Sequence, residues 1–279
     1  MRILSIGLAA GLAAVMAQPV ESQNVPPPPT ASYADLADLA LPAPLVAHIR
    51  VTDTDLLDQS EATNVAPGHR RFLVEAIVTA LIRGPGASPQ RVSYLIDLPN
   101  DSRGRPARIR KRDELLVFAT PAGNQPGEIR LVAPDGQIPY TPALADQLRE
   151  ILREASASDA PPRITGIVRA FHVPGSLAGE SETQFFLQTA DERPISLNVL
   201  RRPGEQPRWS VALGEIVDDA AAEPEPNSLL WYRLACGLPS LRPRRALEDA
   251  GRDEARAIQA DYRLILDRLG TCVRTRQPR

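Results

Sequence analysis

Apolar residues recur at every second position along much of this chain. Phe72, Val74, Ala76, Val78, Ala80 and Ile82 form one apolar face, while Leu73, Glu75, Ile77, Thr79, Leu81 and Arg83 make a mixed opposite face. The β-branched content assigns the run to a strand rather than a helix. At about 3.3 Å per residue it would extend roughly 40 Å, longer than most strands, so it is expected to bend as the strands of a small barrel do. Val92, Tyr94, Ile96 and Leu98 alternate with Ser93, Leu95 and Asp97 in the next strand. Further strands are expected at 114–119 and 128–133, each bounded by Gly/Pro turns. Beyond residue 162 the pattern predicts strands at 163–171, 182–190, 194–200, 208–217 and 228–235. Their short spacing favours an antiparallel meander, barrel or sandwich over βαβ units.

Three stretches change period. Ser32-Tyr33-Ala34-Asp35 has capping-box spacing before Leu36 and Leu39, with Pro42 and Pro44 placed to end the helix. Thr141 is placed to cap a second helix with Pro142 at its first position, and Leu144, Leu148, Ile151, Leu152 and Ala155 make its apolar stripe. A final helix is expected from about Arg244 to Leu269, with Leu247, Ala250, Ile258, Tyr262, Ile265 and Leu269 on one side.

The predicted fold is therefore mainly β with helices (α+β). Two small antiparallel β-barrel or sandwich domains span 45–155 and 163–279, divided by a linker near 156–162, and the second ends in the C-terminal helix. The long bent strand and the strand count of the first half resemble an OB-type barrel, in architecture only and without a specific motif. Ala76-Ile77-Val78-Thr79-Ala80-Leu81 also resembles Gly166-Ile167-Val168-Arg169-Ala170-Phe171. Either the β-module is duplicated or apolar strands before Pro-Gly turns look alike.

The first 17 residues read as a secretory signal peptide. Arg2 supplies the positive start, Ile3 to Ala17 is an uncharged apolar run, and Val15 and Ala17 fit the small-residue positions before a cut. The run falls short of the roughly 20 residues that span a bilayer. No cysteine lies near the cut, and no later stretch approaches membrane-spanning length. Residues 18–44 form a Pro-rich lead-in containing Pro26 to Pro29. The mature chain is expected to be exported, to the periplasm or beyond. Cys236 and Cys272, the only cysteines, then sit where thiols oxidise, and an even pair bracketing the last helix predicts one disulfide tethering it.

Composition narrows the functional classes. The chain has 279 residues, a net charge of −2, 43% hydrophobic and 24% charged residues. Those values exclude wholesale disorder, and the near-neutral charge argues against a dedicated nucleic-acid binder. Lys111 is the only lysine, so no Gly-Lys-Ser/Thr loop exists, and Gly84-Pro85-Gly86 lacks the third glycine of a dinucleotide fingerprint. His48, His69 and His172 have no zinc-ligand spacing. Asp53, Asp55, Asp58 and Glu61 offer calcium-type oxygens but lack EF-hand spacing, so a solvated turn is the better reading. No metal and no cofactor is predicted.

Two features retain functional interest. His172, a residue type suited to general-base work, lies near Ser176 and Glu180. Gly175-Ser176-Leu177-Ala178-Gly179, however, places the serine one position too early for a nucleophile elbow. Arg103, Arg105, Arg108, Arg110, Lys111 and Arg112 pack six cations into ten residues, a loop suited to an acidic protein surface or an anionic envelope polymer. No aromatic is interleaved, so single-stranded nucleic acid is a poor match. Asp218, Asp219, Glu223 and Glu225 make a second, acidic loop that would complement it if the two faced each other. The favoured expectation is a non-catalytic binding or interaction module of the cell envelope. The alternatives are a periplasmic hydrolase built on His172, Ser176 or a carboxylate pair, and a purely structural envelope protein.

Overall fold

The computed structural model describes residues 31–58, 60–86, 89–122, 125–214, 221–239 and 250–276. The signal peptide, residues 18–30 of the lead-in, Asp218, Asp219 and the expected helix start at 244–249 lie outside them.

The described chain opens with α1 (Tyr33–Ala40). The Ser32 side chain accepts from the Asp35 amide and the Asp35 carboxylate accepts from the Ser32 amide, the capping box its spacing predicts. Five strands follow in the spatial order β3-β2-β1-β4-β5: β1 (Leu45–Leu56), β2 (His69–Arg83), β3 (Arg91–Pro99), β4 (Glu114–Pro121) and β5 (Ile129–Leu131). A parallel bridge between Ser93 and Glu128 brings β3 to the start of β5, so the sheet is a nearly closed barrel with OB-type strand order. A short β6 (Gln137–Pro139) also pairs with β4. Three residues carry too little alternation for a sequence pattern to reveal it. The run expected at 128–133 is likewise strand only at its centre.

Bending of β2 is achieved by slipping register. Opposite β1 the pairing shifts three times, leaving Thr79 and Ile82 as extra residues on β2. Each slip turns the following side chains over. Leu81 accordingly joins Val78 at the barrel core while Ile82 packs outside it, so the unbroken face expected from Phe72 to Ile82 is broken. Inside the barrel lie Ile49, Val51, Val74, Ala76, Tyr94 and Val117.

A second core lies on the outside of β1 and β4, where Val46, Leu116 and Phe118 meet α1 and α2 (Pro142–Ala155). With both faces covered, Leu115 to Ala119 is a continuous buried run instead of an alternating one. Thr141 caps α2 through the Leu144 amide, and Leu144, Leu148, Ile151 and Leu152 are buried as their stripe requires.

The second sheet is separate and antiparallel. Its strands β7 (Ile164–Pro174), β8 (Ser181–Thr189), β9 (Ile195–Arg201) and β10 (Arg208–Ala212) form a plain meander. No pairing joins the two sheets among the described residues. Residues 228–235, expected as a strand, form α3 (Leu229–Ala235) instead. Asn227 turns the chain at φ 59°, and Ser228 accepts from the Trp231 amide. Leu230 with Leu234 and Trp231 with Ala235 are then four apart and align toward the sheet. Ile258, Tyr262, Ile265 and Leu269 of α4 (Arg252–Leu269) cover the inner face made by Phe185, Leu197 and Trp209. Within the described residues the helix begins at its Gly251 cap.

Cys236 and Cys272 are bonded, with Cα atoms 5.2 Å apart and a sequence separation of 36. Closing a loop of that size contributes about 3–4 kcal/mol in the chain-entropy account. The bridge also delivers residues 273–276 onto α1. Thr275 donates to Asp35 through its amide at 2.9 Å, Arg274 pairs with Asp38, and Arg276 pairs with Asp135. Burial alone would push the Asp35 carboxyl up, but hydrogen bonds from Thr275 and Ser32 together hold it below the usual carboxylate range.

Candidate functional site

The barrel wall is incomplete on one side. Gly127 makes the one closure possible: its carbonyl accepts from the Ser93 amide at 2.9 Å, its φ is 95°, and an added Cβ would lie 2.5 Å from the Arg91 carbonyl oxygen. Beyond the Ser93–Glu128 bridge, β3 and β5 share no ladder pairing. A groove of about 760 Å³ opens there, over Leu73, Leu95, Leu131 and Val132. Its rim carries Arg130 and a two-bonded ion pair in which Arg71 donates to both Asp97 oxygens at 2.7 and 2.8 Å.

The parity of β3 decides what faces that groove. Ser93 N–H and Pro99 C=O both point away from β2, toward Gly127 and Ala107, whereas the Asn100 amide bonds Gly68 on the β2 side. Leu95 and Asp97 share the parity of Ser93 and Pro99, so their N–H and C=O groups project from the free edge. The edge ends where Ala107 donates to Pro99 at 3.1 Å.

Ala107 belongs to the basic segment between β3 and β4. The whole segment is folded back on the barrel: Ile109 packs against the core, Arg112 N–H donates to Val51, and the Thr54 hydroxyl donates to the Ile109 carbonyl. Asp101 accepts from the amides of Arg103 and Arg105, and the Arg105 amide is the chief reason its carboxyl lies below the usual range. All six basic side chains are exposed. Lys111 pairs with Asp53 at 3.0 Å, lowering the Asp53 carboxyl chiefly through that hydrogen bond, and Arg105 pairs with Asp101. Arg103, Arg108, Arg110 and Arg112 make no ion pair with a described carboxylate.

The other sequence candidates are placed as follows. His172 is near the end of β7, opposite Thr183. The Thr183 hydroxyl donates to the Asp261 carboxylate, which can only accept. Thr183 therefore accepts from His172 Nδ1 at 2.8 Å, fixing the proton there. Asp261, 1% exposed on α4, also takes Arg201 Nε at 2.7 Å. This chain of four side chains ties the sheet to α4. Glu180 is occupied elsewhere, accepting from the amides of Ser176 and Leu177 and shaping the β7–β8 turn. The structure thus gives His172 and Glu180 separate partners. Glu223 of the acidic loop pairs with Arg268 of α4. The described residues contain no metal-ligating cluster.

His48 lies on β1, nearly buried, with its ring stacked on Tyr140 at 3.6 Å. Burial is the largest influence on its pKa, which lies below the usual histidine value although nearby Glu114 acts to raise it.

Sequence reasoning missed the groove and the partners of His172. Leu95 carried a signal, since it is a leucine on the otherwise polar phase of its strand. Thr183, Arg201 and Asp261 carried none, because each is an ordinary residue whose meeting is set by the sheet-to-helix packing. No protein-family model matches the chain, and no curated protein matches it significantly.

Proposed function

We propose that this chain is an exported, non-catalytic binding module of the cell envelope that recognises an acidic partner through the Arg103–Arg112 segment. One observation carries the reading: Arg103, Arg108, Arg110 and Arg112 stand exposed and without a partner among the described carboxylates, on a backbone held by its own bonds to the barrel. Like charges held together raise the local potential and speed encounter with an anionic surface. Since the backbone is already ordered, little entropy is lost there on binding. The field fades over about 8 Å at physiological salt, so the partner must come into contact. The apolar run at the start of the sequence and the Cys236–Cys272 bridge support export. No helix among the described residues is long and apolar enough to cross a membrane.

The test is titration of the mature chain with polyglutamate. Replacing Arg105, Arg108 and Arg110 with serine should weaken binding about tenfold, roughly 1.4 kcal/mol, and flatten its salt dependence. The thermal midpoint should barely move, because these side chains are at the surface. Equal binding by the triple variant, or no binding by the parent, would remove the proposal.

A further inference from the structure

Resting on that binding role, we propose that the partner enters as an extended acidic peptide segment of another protein, added as a strand along the free edge of β3. Four observations converge. The backbone groups of Leu95 and Asp97 project from an edge that pairs with β5 only at Ser93–Glu128. Strand addition uses such groups for affinity and takes alternate side chains into pockets. The pocket is present: the groove beside this edge is floored by Leu73, Leu95, Leu131 and Val132, and Leu95 is 50% exposed. The edge is also unbulged, since the nine pairs joining β2 to β3 run without a register shift.

Charge selects the occupant. At the Pro99 end the edge is stopped by Ala107, which carries Arg105 and Arg108 on its two sides within the basic segment. A strand laid along Leu95 and Asp97 therefore runs toward guanidinium groups just as its pairing ends. An apolar-alternating peptide with acidic residues at that end satisfies edge, groove and basic segment together. A polyanion with no backbone N–H groups would satisfy the basic segment alone.

The probes are a synthetic peptide of alternating Val and Thr ending in a run of Glu, the same peptide with its Val-Thr amides N-methylated, and polyacrylate, a polycarboxylate with no backbone N–H groups. Leu95→Pro removes one gap-facing donor, and an outward-facing edge position is where a strand accepts proline. Leu95→Pro should weaken the Val-Thr peptide about tenfold while leaving polyacrylate binding unchanged. N-methylation should cost a similar factor on the unaltered protein. Should Leu95→Pro lower the thermal midpoint, the N-methylated arm decides alone. If the N-methylated peptide binds as tightly as its parent, strand addition is overturned. With polyglutamate binding still lost in the serine triple variant, the acidic-partner role would survive that result. If no probe binds the unaltered protein, both fail.

Discussion

The free edges of β3 and β7 are built differently. β7 closes the second sheet on one side and carries exposed Val168 and Val173, at 59% and 62% exposure. Its register against β8 slips twice, near Thr165 and Val168, and Arg169 lies over the Phe171 ring at 4.8 Å. Bulges and charges of this kind blunt an edge against pairing. β3 has no bulge on the stretch that meets the groove, and its charge there, Asp97, is held in an ion pair by Arg71. It keeps unbroken register with β2, and an apolar floor lies beside it. Apolar exposure alone would have chosen β7 as the docking edge; backbone geometry chooses β3.

The two regions also close their cores by different means. The barrel core is enclosed mainly by its own strands, with Ile109 packed against it. The second sheet depends on α4, which is tied to it by Asp261 and followed by the disulfide-linked tail. Asp261→Ala tests that dependence and has the largest expected effect. It leaves Arg201 and Thr183 without their shared acceptor and should cost about 3 kcal/mol. That is the low end for breaking a buried ion pair, because Arg201 is partly exposed. Hydrogen exchange should show β7 to β9 losing protection while β1 to β4 keep theirs. Equal loss in both sheets would show that the halves unfold as one.

A smaller effect distinguishes the halves by pH. Burial against Tyr140 lowers the His48 pKa. Arg149 of α2 and Arg50 of β1 act in the same direction, and Glu114 of β4 opposes them. A histidine whose folded pKa lies below its unfolded value, about 6.5, favours folding fully above that value and progressively less as pH falls through the folded pKa. Stability monitored through β1 and α2 should therefore decline on acidification below about pH 6.5, with His48→Gln removing that part of the slope. An unchanged slope in the variant would assign the pH dependence to other groups.

Much of the fold was legible because its signals are local. The Ser32 and Thr141 caps, the α2 stripe and the alternation of Val92, Tyr94 and Ile96 each lie within a few residues. The β2 bulges were not legible, since Thr79 becomes an extra residue only when β1 is laid beside it. The segment 228–235 was misread because Leu-Leu-Trp-Tyr is apolar at either period, and the Ser228 cap decides between them. The basic segment was visible as a run of charges. Its position at the end of an unpaired edge required the barrel closure at Gly127, which is set by residues 34 positions away at Ser93. The suspected duplication finds no parallel in strand order: β2 is flanked on both sides in a nearly closed barrel, and β7 is the margin of a meander.

Hydrogen exchange at single amides, with and without the Val-Thr peptide ending in Glu, tests the choice between the two edges most directly. Saturating peptide should slow exchange at the Leu95 and Asp97 amides, which have no ladder partner on their open side among the described residues, and leave the β7 amides from Val168 to Val173 unchanged. Protection appearing along β7 while Leu95 and Asp97 exchange as before would contradict the account.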